Sequence, residues 1–296
     1  MSIAAGLIAS LAFSALLAWY LAKPIRNLRW AFGAAAGGRL DTRVVPLMGS
    51  RRDEIADLGR DFDRMAGQLQ AAMAAQRRLL HDVSHELRSP LARLQVAIGL
   101  ARQRPAELSD SLDRIEREAG RVDELVGELL TLSRLDAGIG DLPAETVDLV
   151  EMVAVIADDA RFEARAAGRD LVLEARGEAV SVVRAALLYR AFENVVRNAV
   201  KYTAEGTGVE VAAACEPNGE FRLVVADRGP GVAEADLAAI FEPFYRGGNG
   251  SEVVGFGLGL AIARGAVLLH DGSIVASARE GGGLRMEIRL PLSAPG

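Results

Sequence analysis

Cysteine and histidine are both scarce in this sequence. Among 296 residues there is one cysteine, Cys215, and there are three histidines, His81, His85 and His270. A single thiol excludes an internal disulfide and any metal site built from cysteines, and three histidines argue against a multi-histidine metal cluster. A basic excess is missing too: 34 Lys and Arg stand against 40 Asp and Glu, a formal net charge of −6. A dedicated nucleic-acid-binding domain would carry the opposite balance, so no nucleic-acid partner is expected. Half of the residues are hydrophobic and a quarter charged, the proportions of a globular chain. This length predicts about two domains, or three if some are small.

Residues 3–22, IAAGLIASLAFSALLAWYLA, contain no charged side chain. Twenty helical residues span about 30 Å, the thickness of a bilayer core. Trp19 and Tyr20 stand at the end of the run, where interfacial aromatics belong, and Lys23, Arg26 and Arg29 follow. A signal peptide would place positive charge ahead of the apolar run, which Met1 and Ser2 do not supply, and a core helix would show a polar face. The segment therefore predicts a transmembrane helix, with residues 23–296 cytoplasmic because the positive charges follow it.

Beyond the membrane, residues 23–75 read as two amphipathic segments around a connector. Ile25, Leu28 and Phe32 recur at helical spacing before Gly37-Gly38. The connector, 40–53, contains Pro46, Gly49 and Arg51-Arg52. Asp53-Glu54 opens the second helix, with acids where the helix dipole favours them, and Ile55, Leu58, Phe62, Met65 and Leu69 continue its stripe. This helix runs on into a hairpin over 76–137. Leu80, Val83, Leu87, Leu91, Leu94, Ile98 and Ala101 mark its first arm. A turn with Pro105 follows, Ser109 or Asp110 is a plausible N-cap, and Leu112, Ile115, Ala119, Val122, Leu125, Leu129 and Leu132 mark the second arm. Such a hairpin buries too little alone, so pairing of two chains into a four-helix bundle is expected. After Asp136 the helical pattern stops. From 147 to 292, strand-like runs at 170–175, 208–215, 220–226, 273–278 and 284–290 alternate with helical runs at 149–166, 184–202 and 258–269. That alternation predicts a separate α/β sandwich domain.

Candidate chemistry begins at His85, in HDVSHELRSPLARL at 81–94. It lies two residues, about 200° of helix, from Val83 on the apolar stripe, so its ring should point outward. A neutral imidazole is a competent nucleophile, and the adjoining Glu86 can orient or deprotonate it. Ser89 is one turn further on the same face, and Pro90 removes a helical hydrogen bond at Glu86, so a bend is expected there. His81 is assigned no catalytic role and His270 a structural one. A second constellation, FENVVRNAVKYT at 192–203, places Asn194 and Asn198 on one helical face with Lys201 and Tyr202 after them. Amide oxygens suit Mg²⁺, and a lysine supplies charge for phosphate. In ADRGPGV at 226–232, Asp227 ends an apolar strand before Gly229 and Gly231, where a carboxylate could accept from an adenine amino group. IFEPFYRG at 240–247 offers Phe241 and Arg246. GFGLGLAIAR at 255–264 puts Gly255, Gly257 and Gly259, with Leu258 between, at the start of an apolar helix, where backbone N–H groups favour phosphate. The spacing is not a dinucleotide-binding fingerprint.

Several of these segments resemble one family. Pro24 with DEIADLGRDFDRMAGQL at 53–69 is similar to a HAMP signal-relay module, and HELRSPL resembles the phosphoacceptor box of sensor histidine kinases, which carries Thr or Ser where Ser89 stands. The four later motifs resemble, in order and spacing, the N, G1, F and G2 boxes of the GHKL (Bergerat) ATP-binding fold. The resemblance covers about 23–292 and looks nearest to Cpx-type envelope-stress kinases, through RLLHDVSHELRSPLARLQ and GGLRMEIRLPL. It implies a multi-domain, membrane-anchored homodimer contacting lipid, which uses ATP and Mg²⁺ to phosphorylate His85 and passes the phosphoryl group to a response-regulator receiver domain. By the same resemblance Asn198 would hold Mg²⁺, with Asn194 and Lys201 near the phosphates and Asp227 at adenine. Tyr202, Gly229, Gly231, Phe241, Arg246, Gly255, Gly257, Leu258 and Gly259 would complete the ATP site, and 245–257 would form its lid. The polar residue at Ser89 is associated in the family with phosphatase activity.

Phe256 departs from the family pattern, which often has Thr or Ser there, and altered lid packing is expected; Leu284 stands where many relatives carry Thr, a departure that Cpx-like kinases share. The chain also starts at what resembles the second membrane span of such kinases, which implies either a fragment or a kinase without its own extracytoplasmic sensor. The competing readings are a kinase-fold protein acting chiefly as a phosphatase and a scaffold that has lost ATP turnover; the presence of His85, Glu86, Asn198 and Asp227 speaks against the scaffold.

Overall fold

In a computed structural model, described over residues 2–103, 108–136, 143–247 and 255–293, the chain forms two compact units, 1–83 and 84–296. In the first, helix α1 (Ser2–Ala36) runs unbroken from the apolar segment through Pro24. It stops in a left-handed turn: Gly38 has φ +83°, and the N–H groups of Gly38 and Arg39 donate to Ala35 and Ala34. Those bonds cap the helix carbonyls in the way a glycine at this position allows. The connector contains a 3-10 turn, Val45–Leu47, held down by Asp63, whose carboxylate accepts from the N–H groups of Val44 (2.6 Å) and Val45 (3.0 Å). Helix α2 (Glu54–Gln103) starts after Asp53, whose Oδ1 accepts from the Ala56 N–H at 3.2 Å and so caps it. Leu28, Ala31, Val44, Met48, Phe62 and Ala66 make the small core, while Leu58, Met65 and Leu69 stay exposed.

Pro24 has a local consequence. It has no N–H to donate to the Tyr20 carbonyl four residues earlier. The guanidinium of Arg51 supplies the missing donor at 2.5 Å, lies over the Tyr20 ring at 3.9 Å from its centroid, and forks onto Asp53 at 2.6 Å. The carbonyl orphaned by a proline is thus tied to the residue that caps α2.

The second unit takes up the rest of α2, including Pro90, and helix α3 (Leu108–Asp136). Because α3 begins at Leu108, Ser109 and Asp110 lie inside its first turn rather than at the cap; Pro105 falls outside the described residues. Ala97, Leu125 and Leu132 are buried, yet Leu91, Ile98, Leu112 and Leu130 remain exposed on this single chain.

The α/β part has two layers, as expected. Its five-stranded sheet has the order β2-β4-β5-β7-β6, with β2 (Asp170–Arg176) parallel to β4 (Gly208–Cys215). The other neighbours, β5 (Glu220–Ala226), β6 (Ser273–Ala278) and β7 (Leu284–Pro291), pair antiparallel. Helices α4 (Leu149–Ala166), α5 (Ala185–Tyr202) and α6 (Gly259–Leu269) cover one face. Val153, Phe192, Val196, Phe221 and Ile288 lie in the core between these layers. The open face carries charge: Glu287 takes hydrogen bonds from Arg222, Arg285 and Arg289. A two-stranded sheet, β1 (Glu145–Asp148) with β3 (Val180–Val183), has no counterpart in the sequence reading. Four-residue strands are too short for a period, and this pair is joined by Asp148, which caps both Val150 (2.9 Å) and Ala179 (3.0 Å).

Candidate functional site

The 3.6-residue period of α5 buries Leu188, Phe192, Val195 and Ala199 and sets Asn194, Asn198 and Tyr202 along the flank of that stripe, with Lys201 beside them. These four are half-buried. Two loops close over that face. At the end of β5, Asp227 is only 4% exposed, and its Oδ1 accepts from the N–H groups of Gly229 (2.8 Å) and Leu284 (3.1 Å). Burial pushes this carboxyl up, and the two donors pull it back. Leu284, a departure from the family pattern, contributes through its backbone, so its side chain is free to enter the core.

Close approach explains the glycines. A Cβ on Gly229 would lie 2.4 Å from the Tyr202 carbonyl oxygen, and one on Gly283 (φ +104°) 2.1 Å from that of Asp227. Gly255, at φ +145°, faces the Lys201 ammonium, 2.8 Å from where its Cβ would be, and Gly259 stands 3.2 Å from the Asn194 amide by the same measure. Gly257 (φ +76°) accepts from the Phe244 N–H at 3.0 Å and joins the 240–247 segment to the start of α6. The structure thus brings Asn194, Lys201, Tyr202 and Asp227 together with Gly229, Gly255 and Gly259 in one cradle, and Asn198 shares the α5 flank of Asn194. A Cβ on Gly231 (φ +72°) would lie 3.3 Å from the Gly283 carbonyl oxygen. Phe241 and Leu258 are buried, so their side chains serve packing. Arg246 is exposed, and its charge, after burial, is the next cause lowering the Lys201 pKa. Residues 248–254 of the expected lid fall outside the described residues.

Thr203, at the end of the 192–203 segment, belongs to the site as well. It is 1% exposed, and its hydroxyl accepts from the Arg228 N–H at 2.9 Å, which ties the end of α5 to the Asp227 loop. A helix-terminal Thr following an asparagine face was the only signal. His270 is structural, as expected: its Nε2 accepts from the Arg184 N–H at 3.0 Å, its Nδ1 meets the Ala266 carbonyl at 2.7 Å, and burial lowers its pKa.

His85 and Ser89 are exposed on α2, with Glu86 half-buried between them. The α/β layers also pack on α3. Arg190 donates to the Thr131 hydroxyl at 2.5 Å, and Leu135 stands 3.1 Å from where a Cβ on Gly265 would be. Glu128 lies in this contact, its carboxyl pushed up to about 7 by burial and then by Glu124, against the pull of Arg190 and Lys201.

Three family profiles match the chain: the HAMP domain over 16–71, the histidine kinase A phospho-acceptor domain over 75–138, and the histidine kinase-, DNA gyrase B- and HSP90-like ATPase over 184–294. The sensor histidine kinase CpxA of Escherichia coli K12 is 40% identical over 93% of this chain and 60% of its own length. The sensor protein CutS of Streptomyces coelicolor is 38% identical over 95% of this chain and 68% of its own. The chain therefore spans about 60% of the CpxA relatives it matches. Among solved structures, full-length ShkA in complex with AMPPNP aligns at a TM-score of 0.56 with 27% identity, covering 74% of this chain and 46% of that one. Histidine kinase ThkA in complex with response regulator protein TrrA aligns at 0.60 with 21% identity over 76% and 64%, a likeness of fold.

Proposed function

The chain belongs to the sensor histidine kinases, and from that premise we propose that ATP bound in the cradle phosphorylates His85. The phosphoryl group then passes to an aspartate of a response-regulator receiver domain. What carries the reading is the set of close approaches, Gly255 to Lys201, Gly259 to Asn194 and Gly229 to Tyr202, around the buried Asp227. A side chain at any of these glycines would press on the site's own residues, and at 255–259 glycine leaves backbone N–H groups able to approach a polyphosphate. Asp227, held by two backbone donors on Oδ1, can accept from the adenine amino group, and Lys201 brings positive charge to phosphate.

Among the described residues no three His, Cys, Asp or Glu side chains gather as a metal site. The donor set fits Mg²⁺ held by Asn198 together with phosphate oxygens, which is how that ion takes to nucleotide sites. Bound there, Mg²⁺ would offset charge on the transferred group. The chain's own residues do the rest. A nitrogen of the His85 ring attacks the γ-phosphorus, the bond to the β-phosphate oxygen breaks, and the adjoining Glu86 accepts the ring proton.

In the same proposal, 3–22 spans the bacterial inner membrane in contact with lipid, 23–75 relays signal, 76–137 dimerises and carries His85, and 147–292 binds ATP, with 23–296 in the cytoplasm. The apolar helix near the N-terminus and the HAMP match support the membrane placement. Exposed Leu91, Ile98, Leu112 and Leu130 support a homodimeric bundle, since a second hairpin would cover them.

The test is the full chain in lipid nanodiscs with γ-labelled ATP. Acid-labile label that needs Mg²⁺, survives in His81→Gln and is lost in His85→Gln is expected. Label kept in His85→Gln and lost in His81→Gln overturns the assignment.

A further inference from the structure

Ser89 is not a solitary surface hydroxyl. The Arg93 guanidinium, one turn further along the face that carries His85 and Ser89, donates to Ser89 Oγ at 2.5 Å. The same guanidinium pairs across the hairpin with Glu118 of α3 at 2.9 Å, and Arg121 holds the other oxygen of Glu118, also at 2.9 Å. The Glu118 side chain is 12% exposed and the Arg93 side chain 49%. Arg93 first, then Arg121, holds the Glu118 carboxyl below the usual range, so it stays a carboxylate at neutral pH.

A serine hydroxyl has one proton and two lone pairs, and a guanidinium has only protons. The bond from Arg93 therefore takes one lone pair and turns the Ser89 proton away from Arg93. An exposed serine otherwise samples three rotamers. Here a fork anchored on the opposite helix selects among them, which leaves one proton and one lone pair to meet a water molecule.

We propose that Arg93, braced by Glu118, is a positioning residue for regulator dephosphorylation: it fixes Ser89 Oγ so that the hydroxyl orients the attacking water. The inference rests on the reading that Ser89 acts on a docked phospho-aspartate. In that step the water oxygen bonds to phosphorus, the aspartyl O–P bond breaks, and the water proton leaves with the phosphate product. Ser89 takes no proton.

The experiment is a double-mutant cycle on the full chain in nanodiscs, with a phosphorylated response-regulator receiver domain that the chain dephosphorylates as substrate. Arg93→Gln should slow dephosphorylation at saturating regulator about five-fold or more while phospho-His85 formation stays within about two-fold. Glu118→Gln should act in the same direction and more weakly. In the Ser89→Ala background neither change should slow the reaction further, because the group they position is gone. Equal slowing by Arg93→Gln with and without Ser89 overturns the positioning role and leaves the Ser89 reading intact. Dephosphorylation unchanged by Ser89→Ala alone removes the Ser89 reading, and the proposal with it. Arg93→Lys guards against misfolding: one ammonium cannot fork onto Ser89 and Glu118 as a guanidinium does, so it should not restore the rate. Full restoration by lysine overturns the fork.

Discussion

The Arg51 guanidinium donates to the carbonyl oxygen of Tyr20, the acceptor that Pro24 leaves without a helical donor. Arg51→Ala should lower the thermal stability of the reconstituted chain, because the Tyr20 carbonyl then loses its donor. In a Pro24→Ala background the backbone N–H returns, and removing Arg51 should then cost less. Equal losses in both backgrounds would mean that Arg51 acts only through Asp53.

Asp227→Asn keeps an oxygen for the Gly229 and Leu284 N–H groups, so the loop should hold its shape. Affinity for ATP and ADP should fall together, by about ten-fold, or 1.4 kcal/mol. Asn198→Asp should instead abolish Mg²⁺-dependent labelling with the fold intact. Titration calorimetry with each nucleotide separates the two, and unchanged ATP binding in Asp227→Asn would take that residue out of the site.

Gly229→Ala sets a Cβ against the Tyr202 carbonyl and should displace the N–H that Asp227 accepts. Nucleotide affinity should drop further than in Asp227→Asn. Gly67→Ala, with nothing within 4 Å of its Cβ, is the control and should leave binding unchanged.

Glu128 predicts a pH dependence for the packing of α3 on α5 and α6. Its carboxyl is raised from 4.5 to about 7, so the packed state holds a proton that the separated state releases. That contribution is complete below 4.5 and is lost as pH rises through about 7. Fluorescence energy transfer between dyes on α3 and α6 should report looser packing at pH 8 than at pH 5.5, and Glu128→Gln should flatten the difference. A profile unchanged by the substitution would assign the effect to another group.

Glu287 behaves in the opposite sense. Hydrogen bonds from Arg222, then from Arg285 and Arg289, hold its carboxyl at about 2. Its contribution is present above 4.5 and lost as pH falls through about 2. Glu287→Gln should destabilise the α/β domain at pH 7, and the gap to wild type should close as the pH approaches 2. A gap independent of pH would mean that only packing was lost.

What was legible in the sequence is what short-range periodicity determines. Asn194, Asn198 and Tyr202 share a face because four residues are close to one helical turn, wherever the helix is placed. The outward angle of His85 follows from Val83 in the same way, and the five strands of the main sheet follow from apolar runs between turns. Tertiary structure decided the contacts between distant positions. Arg51 reaches Tyr20 across 31 residues, Arg228 reaches Thr203 across 25, and Leu284 reaches Asp227 across 57. Neither member of such a pair carries a local pattern that names the other. The β1–β3 pair, the Glu118 brace on Ser89 and the glycine at 283 belong to this second kind. Each exists because a backbone N–H, a carbonyl or a charge brought close by folding needs a partner, and only the packed chain says which residue is within reach.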